Sequence, residues 1–349
     1  MAVSLPRFPL AALPTPLVRL DRLGAALGVA DLYAKRDDLT GFALAGNKAR
    51  QLECLVADAL ARGCDVLVAA GGPASNFCAA AAAAASVAGL ECVLVLYGSP
   101  DTGEPAKLRL ARSFGAEVHF TGSIERASVD AELEGAAARL RASGRRPYPM
   151  PRGGATAVGA AGQALALAEA AGQLRSLGIE RATFLVACGS GGTQAGLVAG
   201  AAADRARWGG WGWRVTGASV SRGVGDCRRR VLDLSRECAA LLAGPRPAAA
   251  DVEIVDARGP GFALPSAEGE AMAHLAARTE GLLLDPTYTA KALGTLPRFL
   301  GEAPRGPVVF WHTGGVGGRL LAAAGDGGAE AGVPTGDDEV LATRGLSAR

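Results

Sequence analysis

The sequence has no long apolar run, since none of its segments reaches the roughly 18 consecutive apolar residues that indicate a transmembrane helix. The run from Ala79 to Ala85 is long but only weakly hydrophobic, and alanine is the best helix former. At the N-terminus, Met1 to Leu10 contains Pro6 and Pro9 and has no apolar signal core. We therefore expect a cytoplasmic protein with no membrane partner.

Paired cysteines and an excess of charge are also missing. The seven cysteines are scattered, their number is odd and no Cys-x-x-Cys occurs, which favours reduced, buried thiols over disulfides or zinc. We therefore expect no metal site. The formal net charge is only +2, and basic clusters such as 228–230 belong to no long basic stripe with interleaved aromatics. This argues against a nucleic-acid partner.

The composition is that of a globular protein. The chain has 349 residues, of which 49% are hydrophobic and 20% charged, enough for one large or two medium domains. Short apolar runs alternate with alanine-rich helical stretches, a pattern that predicts parallel α/β sheets whose strands are buried on both faces. The predicted strands are 66–70, 92–97, 117–120, 183–187, 214–218, 282–284 and 308–311, and the predicted helices include 75–88, 106–114 and 128–142.

Two stretches break this alternation. Prolines 147, 149 and 151 precede Gly153-Gly154, which suggests a domain break near 147–154. Residues 325–349 are rich in glycine and charge without apolar periodicity, so we predict a flexible tail.

Lys48 is the first candidate for chemistry. It follows Gly46-Asn47, where a loop enters a helix predicted to run to Ala61. A lone lysine in such a place is usually a solvated surface residue. It forms imines readily only when burial or a neighbouring cation depresses its pKa.

Two glycine-containing turns follow predicted strands. Ser75-Asn76 comes after Gly71-Gly72 and opens a helix, where it can serve as an N-cap, contact a ligand, or do both. Gly189 to Thr193 can turn several backbone N–H groups toward one anion, assisted by the helix dipole. This second turn has neither the length nor the lysine of a Walker loop, and it lacks the G-x-G-x-x-G pattern of dinucleotide folds. It suits a single phosphate monoester.

Two further candidate segments follow predicted strands near the C-terminal part of the chain. Tyr288 follows Leu282 to Pro286, where a tyrosine in the core is the ordinary interpretation. Thr313 lies in His312-Thr313-Gly314-Gly315, a glycine-rich strand end that could face a ligand.

Taken in order, these segments resemble the fold-type II pyridoxal-phosphate enzymes, and more narrowly the family of D-cysteine desulfhydrase and 1-aminocyclopropane-1-carboxylate deaminase. The resemblance covers most of residues 10 to 320. Its motifs are Pro14-Thr15-Pro16-Leu17, Lys35-Arg36-Asp37-Asp38-Leu39-Thr40-Gly41, Gly46-Asn47-Lys48, Pro151-Arg152-Gly153-Gly154, Ser219-Val220-Ser221-Arg222 and His312-Thr313-Gly314-Gly315.

The resemblance implies a two-domain α/β architecture like that of the tryptophan synthase β subunit, with parallel sheets flanked by helices. Residues 1–50 and 155–324 would form the large cofactor-binding domain, and 51–154 a smaller inserted domain. It also implies a homodimer, pyridoxal 5′-phosphate as cofactor and a small amino acid as substrate.

The resemblance also implies a role for each matching residue. Lys48 would hold the cofactor as a Schiff base, and Asn76 would bond to its ring oxygen. Thr313 would approach the pyridine nitrogen, Ser75 would touch the substrate carboxylate or shuttle protons, and Tyr288 would be an acid–base or nucleophilic phenol. The phosphate would be held by Gly189, Ser190, Gly191, Gly192 and Thr193. The substrate would be contacted by Ser75, Asn76, Phe77, Phe262 and Tyr288.

Four positions depart from the family pattern. Phe77 stands where the family has a polar His or Gln, Phe262 where it has a tyrosine, Thr289 where the deaminases have a glutamate, and Gln51 where a basic residue is usual. Loss of buried hydrogen-bonding groups changes substrate discrimination by orders of magnitude, so we expect a divergent substrate.

The function predicted on this basis is that of a lyase or deaminase, which removes an α-proton and eliminates a β-substituent. The alternatives are cyclopropane ring opening, racemisation or isomerisation, and a relative that binds the cofactor without turnover. A nicotinamide dehydrogenase is disfavoured by the missing dinucleotide fingerprint.

Overall fold

The computed structural model describes residues 5–100, 104–209, 212–300, 306–315 and 317. The predicted flexible tail, 325–349, lies outside these residues. The strands in the described ranges are β1 (Leu17–Arg19), β2 (Leu32–Lys35), β3 (Val66–Gly71), β4 (Glu91–Leu96), β5 (Glu117–Phe120), β6 (Pro147–Met150), β7 (Arg181–Cys188), β8 (Gly212–Ser219), β9 (Glu253–Asp256) and β10 (Val308–Trp311). The helices in the same ranges are α1 (Asp21–Leu27), α2 (Lys48–Ala61), α3 (Asn76–Ala88), α4 (Ala106–Ser113), α5 (Ser128–Ala142), α6 (Ala157–Ser176), α7 (Gly192–Trp208), α8 (Val224–Leu241), α9 (Ala267–Glu280), α10 (Thr289–Gly294) and α11 (Leu296–Leu300).

Within the described part of the chain, the strands form two sheets. The larger has the order β1-β2-β10-β7-β8-β9 and is parallel except for the antiparallel pair β1 and β2. The smaller has the order β5-β4-β3-β6 and is parallel throughout. Every residue of β3 is buried, as expected for a strand covered on both faces. The predicted α/β fold with parallel sheets is confirmed.

Helices cover both faces of each sheet because successive strand residues point to opposite sides. In the larger sheet, Phe184 packs with α6, α7 and α8, whereas the next residue, Leu185, packs with α1, α9 and α10. In the smaller sheet, Leu67 packs with α2, α3 and α4, whereas Val68 packs with α5. No helix in the described ranges is long and apolar enough to cross a membrane.

One predicted strand was wrong. Residues 282–284 do not join a sheet. Their apolar side chains fill the core on either side of Leu283, whose carbonyl oxygen lies 3.0 Å from the Nε2 atom of His312. The apolar pattern of residues 282–284 therefore reflects burial in the core rather than a strand, and the backbone carbonyl of Leu283 lies near the His312 side chain instead of a neighbouring strand.

The predicted domain break begins with a strand. Residues 147–150 form β6 at an edge of the smaller sheet, paired with β3. An edge strand tolerates prolines because one of its sides needs no ladder donor. The larger and smaller sheets divide the chain much as the predicted domains do, but the domain boundaries themselves stay a prediction.

The topology brings several strand ends together. The turns after β3, β7 and β10 lie at the carboxyl ends of their strands, and α2 begins beside them. This edge is where parallel α/β folds bind ligands.

Candidate active site

A single cavity at these strand ends gathers the predicted site residues. Every one of them except Gly192 lines it: Lys48, Ser75, Asn76, Phe77, Gly189, Ser190, Gly191, Thr193, Phe262, Tyr288 and Thr313. Gly192 lies between two lining residues, as the first residue of α7. The sequence therefore predicted which segments meet, and the roles of the individual residues stay predictions.

Lys48 is the first residue of α2 and is half-buried against the cavity. Loss of hydration lowers its pKa to about 8, an effect only partly offset by the neighbouring Cys188. It forms no ion pair with any described carboxylate. This amine therefore gives up its proton near physiological pH more readily than an ordinary lysine does, and imine formation requires the neutral amine.

Asn47, which the sequence analysis left without a role, holds the start of α2 in place. Its side-chain amide donates to the hydroxyl oxygen of Thr193 at 2.8 Å, and its backbone N–H donates to the carbonyl of Thr313 at 3.1 Å. Its own carbonyl accepts from the amide of Gln163 at 2.9 Å. Lys48 is thereby fixed relative to α7 and to the end of β10.

The turn between β7 and α7 has the geometry of an anion site. Gly191 adopts a φ of 96°, which a residue with a side chain rarely does, and the first N–H groups of α7 have no partner within the helix. The carbonyl of Gly189 accepts from Arg222 at 2.6 Å, which holds the turn in place. The helix dipole adds about half a positive charge at this end.

An unsatisfied donor lies beside this turn. The side chain of Gln51 is fully buried, and neither its nitrogen nor its oxygen has a hydrogen-bond partner among the described residues. A Cβ placed on Gly192 would lie 3.2 Å from the Gln51 Nε2 atom. Backbone donors, an orphaned amide and a nearby depressed-pKa lysine together fit a ligand that carries both a phosphate and an aldehyde.

Ser75 caps α3 and also lines the cavity. As N-cap of α3, its hydroxyl oxygen accepts from the backbone N–H of Cys78 at 3.2 Å. Accepting leaves the hydroxyl hydrogen available, and both Ser75 and Asn76 line the cavity. The start of α3 therefore presents side-chain hydrogen-bond donors to the cavity.

Tyr288 is held by a tight turn around Asp285. The Asp285 carboxylate accepts from the backbone N–H groups of Thr287, Tyr288 and Thr289 and from the Thr289 hydroxyl, at 2.7–3.1 Å. Burial, with a further contribution from Asp285, raises the pKa of Tyr288 to about 12. The phenol therefore keeps its proton at neutral pH. Thr289 serves this turn and does not line the cavity.

The two phenylalanines occupy different surroundings. Phe77 is only 2% exposed, and its ring packs so close to Gly154 that a Cβ there would lie 2.6 Å from it. Phe262 meets the Tyr288 ring edge-on, at a centroid distance of 6.1 Å and an angle of 74°. Phe77 therefore forms part of the core as well as the cavity wall, whereas Phe262 belongs to the cavity beside the phenol.

Sequence analysis missed three cavity arginines: Arg126, Arg152 and Arg222. Arg152 and Arg222 lie inside motifs that carried the family resemblance, so attention to charge within those motifs could have found them. Arg126 lies in the turn before α5, outside any motif, and only the tertiary structure brings it to the cavity. No group of three or more potential metal ligands occurs among the described residues.

Comparison with known proteins agrees with this geometry. Residues 9–314 match the family described as "Pyridoxal-phosphate dependent enzyme". The chain is 38% identical over 322 residues to D-cysteine desulfhydrase of Klebsiella pneumoniae (strain 342), a match covering 89% of this chain and 94% of that protein. It is 37% identical over 319 residues to D-cysteine desulfhydrase of Salmonella choleraesuis (strain SC-B67), with the same coverage of 89% and 94%.

Solved structures extend the comparison. One described as an ACC deaminase homologue superimposes with a TM-score of 0.82 at 31% identity, covering 92% of this chain and 96% of that one. A threonine deaminase from T.th., with a TM-score of 0.62 at 21% identity, shares the fold, over 86% of this chain and 92% of its own.

The fold has parallel sheets covered by helices on both faces, and its cavity places a lysine of lowered pKa near a glycine-rich helix start. This combination is typical of enzymes that use a cofactor carrying a phosphate and an aldehyde. The chain belongs to the pyridoxal-phosphate-dependent enzyme family, and pyridoxal 5′-phosphate is its cofactor. The predicted family and cofactor are confirmed.

Proposed function

We propose that this protein is a lyase or deaminase that removes the α-proton of a small amino acid and eliminates a β-substituent, in the manner of D-cysteine desulfhydrase. The observation that carries the proposal is that one cavity holds a lysine with a pKa of about 8, an anion-binding helix start and a protonated phenol. When bound, the cofactor ring accepts the electron pair left on the α-carbon.

Lys48 has two tasks in this proposal. Its amine would hold the cofactor, and the same amine would take the α-proton of the substrate. A base is most effective when its pKa lies near the working pH, and about 8 meets that condition. The hydrogen bonds made by Asn47 keep the amine at a fixed distance from the turn that would hold the phosphate.

The remaining roles follow from position. Ser75 and Asn76, at the start of α3, would bind the α-carboxylate of the substrate, and Asn76 would also face the cofactor's ring oxygen. Thr313, at the end of β10, would face the pyridine nitrogen. Tyr288, which stays protonated at neutral pH because burial raises its pKa, would donate its proton to the leaving group.

Cyclopropane ring opening is the second candidate, supported by the likeness to the ACC deaminase homologue at 31% identity. The surroundings of Tyr288 weigh against it. Phe262 supplies no second phenol, and the Thr289 hydroxyl is engaged by Asp285 rather than facing the cavity. We therefore rank β-elimination first.

We further propose that the protein is a cytoplasmic homodimer with the domains outlined above, 1–50 with 155–324 and 51–154. The division of the chain into two separately covered sheets supports the domain proposal. Sedimentation equilibrium of the cofactor-loaded protein would test the dimer, and a single-chain mass would contradict it.

The test of function has two steps. Purified protein is reduced with borohydride and digested, and the cofactor adduct is located by mass spectrometry. We expect it on Lys48; an adduct on one of the other lysines, Lys35, Lys107 or Lys291, would overturn the assignment. D- and L-amino acids are then screened for release of keto acid and ammonia. Release from none of them would contradict the proposed activity.

A further inference from the structure

Arg126 reaches the cavity across an aromatic ring. Its guanidinium carbon lies 3.8 Å from the centroid of Phe262, the ring that meets Tyr288 edge-on. Arg126 comes from the turn before α5 beside the smaller sheet, and Phe262 from the loop after β9 beside the larger one. A guanidinium so close to a ring face is held there by cation–π attraction, which leaves its in-plane N–H donors free.

The other two cavity arginines are already engaged. Arg152 forms a two-pronged ion pair with Asp130, at 2.9 and 2.6 Å. Arg222 donates to the carbonyl of Gly189 at 2.6 Å. Arg126, in contrast, makes neither an ion pair nor a hydrogen bond within the described residues. It is half-buried, and loss of hydration is the main reason that its pKa is lowered.

The described residues that line the cavity carry more positive than negative charge. Among the lining residues that the structure describes, Lys48 and the three arginines are basic, and Asp285 is the acid. The Asp285 carboxylate is occupied by the turn that holds Tyr288. Under the proposed function, the phosphate belongs at the start of α7 and the α-carboxylate at Ser75 and Asn76. Arg126 is then a positive charge beside the phenol with no anion assigned to it.

A half-buried guanidinium without an acceptor is unfavourable unless a ligand supplies one. We propose that Arg126 is a specificity-determining residue that binds an anionic substituent on the β-carbon of the substrate. The substrate class is then a small amino acid with a second acidic group, such as a sulfonate, phosphate ester or carboxylate. This inference rests on the proposed function, because it takes the α-carboxylate to bind elsewhere.

The chemistry balances without an oxidant or reductant. For a β-sulfonate, Lys48 takes the proton from the α-carbon, the Cβ–S bond breaks, and sulfur leaves with the bonding pair as sulfite. Water then hydrolyses the remaining enamine. The sum is amino acid plus water giving pyruvate, ammonium and hydrogensulfite. The leaving group gains negative charge as the bond breaks, so a guanidinium beside it stabilises the transition state more than the ground state.

The first test compares the binding of two ligands of nearly equal shape, neither of which has a good leaving group on its β-carbon. Cofactor-loaded protein is titrated calorimetrically with aspartate and with asparagine, in both enantiomers. We expect the parent to bind aspartate at least about tenfold more tightly, the value of one charge-assisted hydrogen bond. In Arg126→Gln the preference should vanish, and Arg126→Lys should restore part of it. Arg112→Gln, which removes an exposed arginine from α4, is the control and should leave the preference unchanged.

The second test is kinetic. Cysteine and cysteate share a carbon skeleton and differ in a thiol against a sulfonate. We expect the parent to favour cysteate in kcat/KM, and Arg126→Gln to reduce that ratio by about tenfold or more. Arg126→Gln and Arg126→Lys should both keep the visible absorbance of the bound cofactor, which would show that the site is folded.

The outcomes separate the two proposals. If Arg126→Gln weakens aspartate and asparagine equally, Arg126 binds the α-carboxylate and the inference is overturned. A parent protein that prefers the neutral ligands overturns it as well. If no amino acid yields keto acid, the proposed function fails, whereas an aspartate preference that depends on Arg126 would still support the anion site.

Discussion

The side-chain amide of Asn47 donates a 2.8 Å hydrogen bond to the hydroxyl oxygen of Thr193. Asn47 directly precedes Lys48, and Thr193 is the second residue of α7. One buried bond thus sets the spacing between the amine that would attach the cofactor and the turn that would hold its phosphate. The two residues are far apart in sequence, so neither motif on its own reveals the link.

Replacing Thr193 with valine should weaken both folding and cofactor retention. The change leaves the buried Asn47 amide without its acceptor, which costs about 1–3 kcal/mol of unfolding free energy. Urea unfolding of the apoprotein and cofactor loss on dialysis measure the two effects. The matched control is Thr183→Val, because the buried Thr183 hydroxyl has no partner among the described residues and its removal should be neutral or stabilising. Equal losses in both variants would contradict the assigned role of the bond.

The pH dependence of cofactor attachment should report the lowered pKa of Lys48. The attacking species is the neutral amine, so the rate of Schiff-base formation by apoprotein should rise with pH and level off above about 8. An ordinary lysine would level off only near 10.4. Stopped-flow absorbance gives the rates. A profile still rising steeply between pH 9 and 10 would show that burial does not depress this pKa.

The lowered pKa of Lys48 should also make the unfolding free energy of the apoprotein depend on pH. The pKa of Lys48 is lower in the folded apoprotein than in the unfolded chain, so folding disfavours its charged form. The resulting penalty is complete below pH 8 and is relieved as the pH rises from about 8 toward the unfolded value. Lys48→Met should therefore stabilise the apoprotein at pH 7 and lose that advantage near pH 10, as followed by urea unfolding. An advantage independent of pH would point to packing rather than charge.

Gly46 permits the close approach between the Lys48 loop and the end of β10. Its φ is 56°, and a Cβ there would lie 2.3 Å from the carbonyl oxygen of Thr313. Gly46→Ala should destabilise the protein by clearly more than the roughly 1–2 kcal/mol that a left-handed backbone costs alone, and should lower cofactor occupancy. Gly28→Ala isolates the backbone term, since Gly28 has a φ of 70° with nothing within 4 Å of an added Cβ. Similar melting temperatures for the two variants would contradict the clash.

The sequence predicted those parts of the site that follow directly from local pattern. Ser75 and Gly189 to Thr193 each begin or precede a helix directly after a strand, and parallel topology places such strand ends together. Lys48 begins a helix after a loop, and the family resemblance rather than a strand end indicated its place in the site. The same reasoning predicted β5 and α5 with the bounds that the structure has. It missed the short strands β1, β2, β6 and β9.

What the sequence could not show depends on tertiary contacts. Lys35 and Asp37 lie in a motif that carried the family resemblance, yet they join a buried network, with Lys35 paired to Glu169 and Arg50 to Asp37. A residue's place in a family motif therefore did not show whether it lines the cavity or supports the fold. Arg126 lies beside the smaller sheet and Phe262 beside the larger one, and no local sequence pattern predicts the contact between them.

Tyr288→Phe should abolish most of the activity while leaving the cofactor bound. The pKa of the phenol is raised to about 12, so between pH 6 and 10 it is a proton donor, and removal of a general acid costs about 10²–10⁴ in rate. Steady-state kcat on the best amino acid measures the loss, and visible absorbance checks the cofactor. Tyr148→Phe is the control, because that hydroxyl donates to Asp58 outside the cavity and its loss should affect stability alone. If Tyr288→Phe kept kcat within about threefold, proton donation to the leaving group would have to come from another residue.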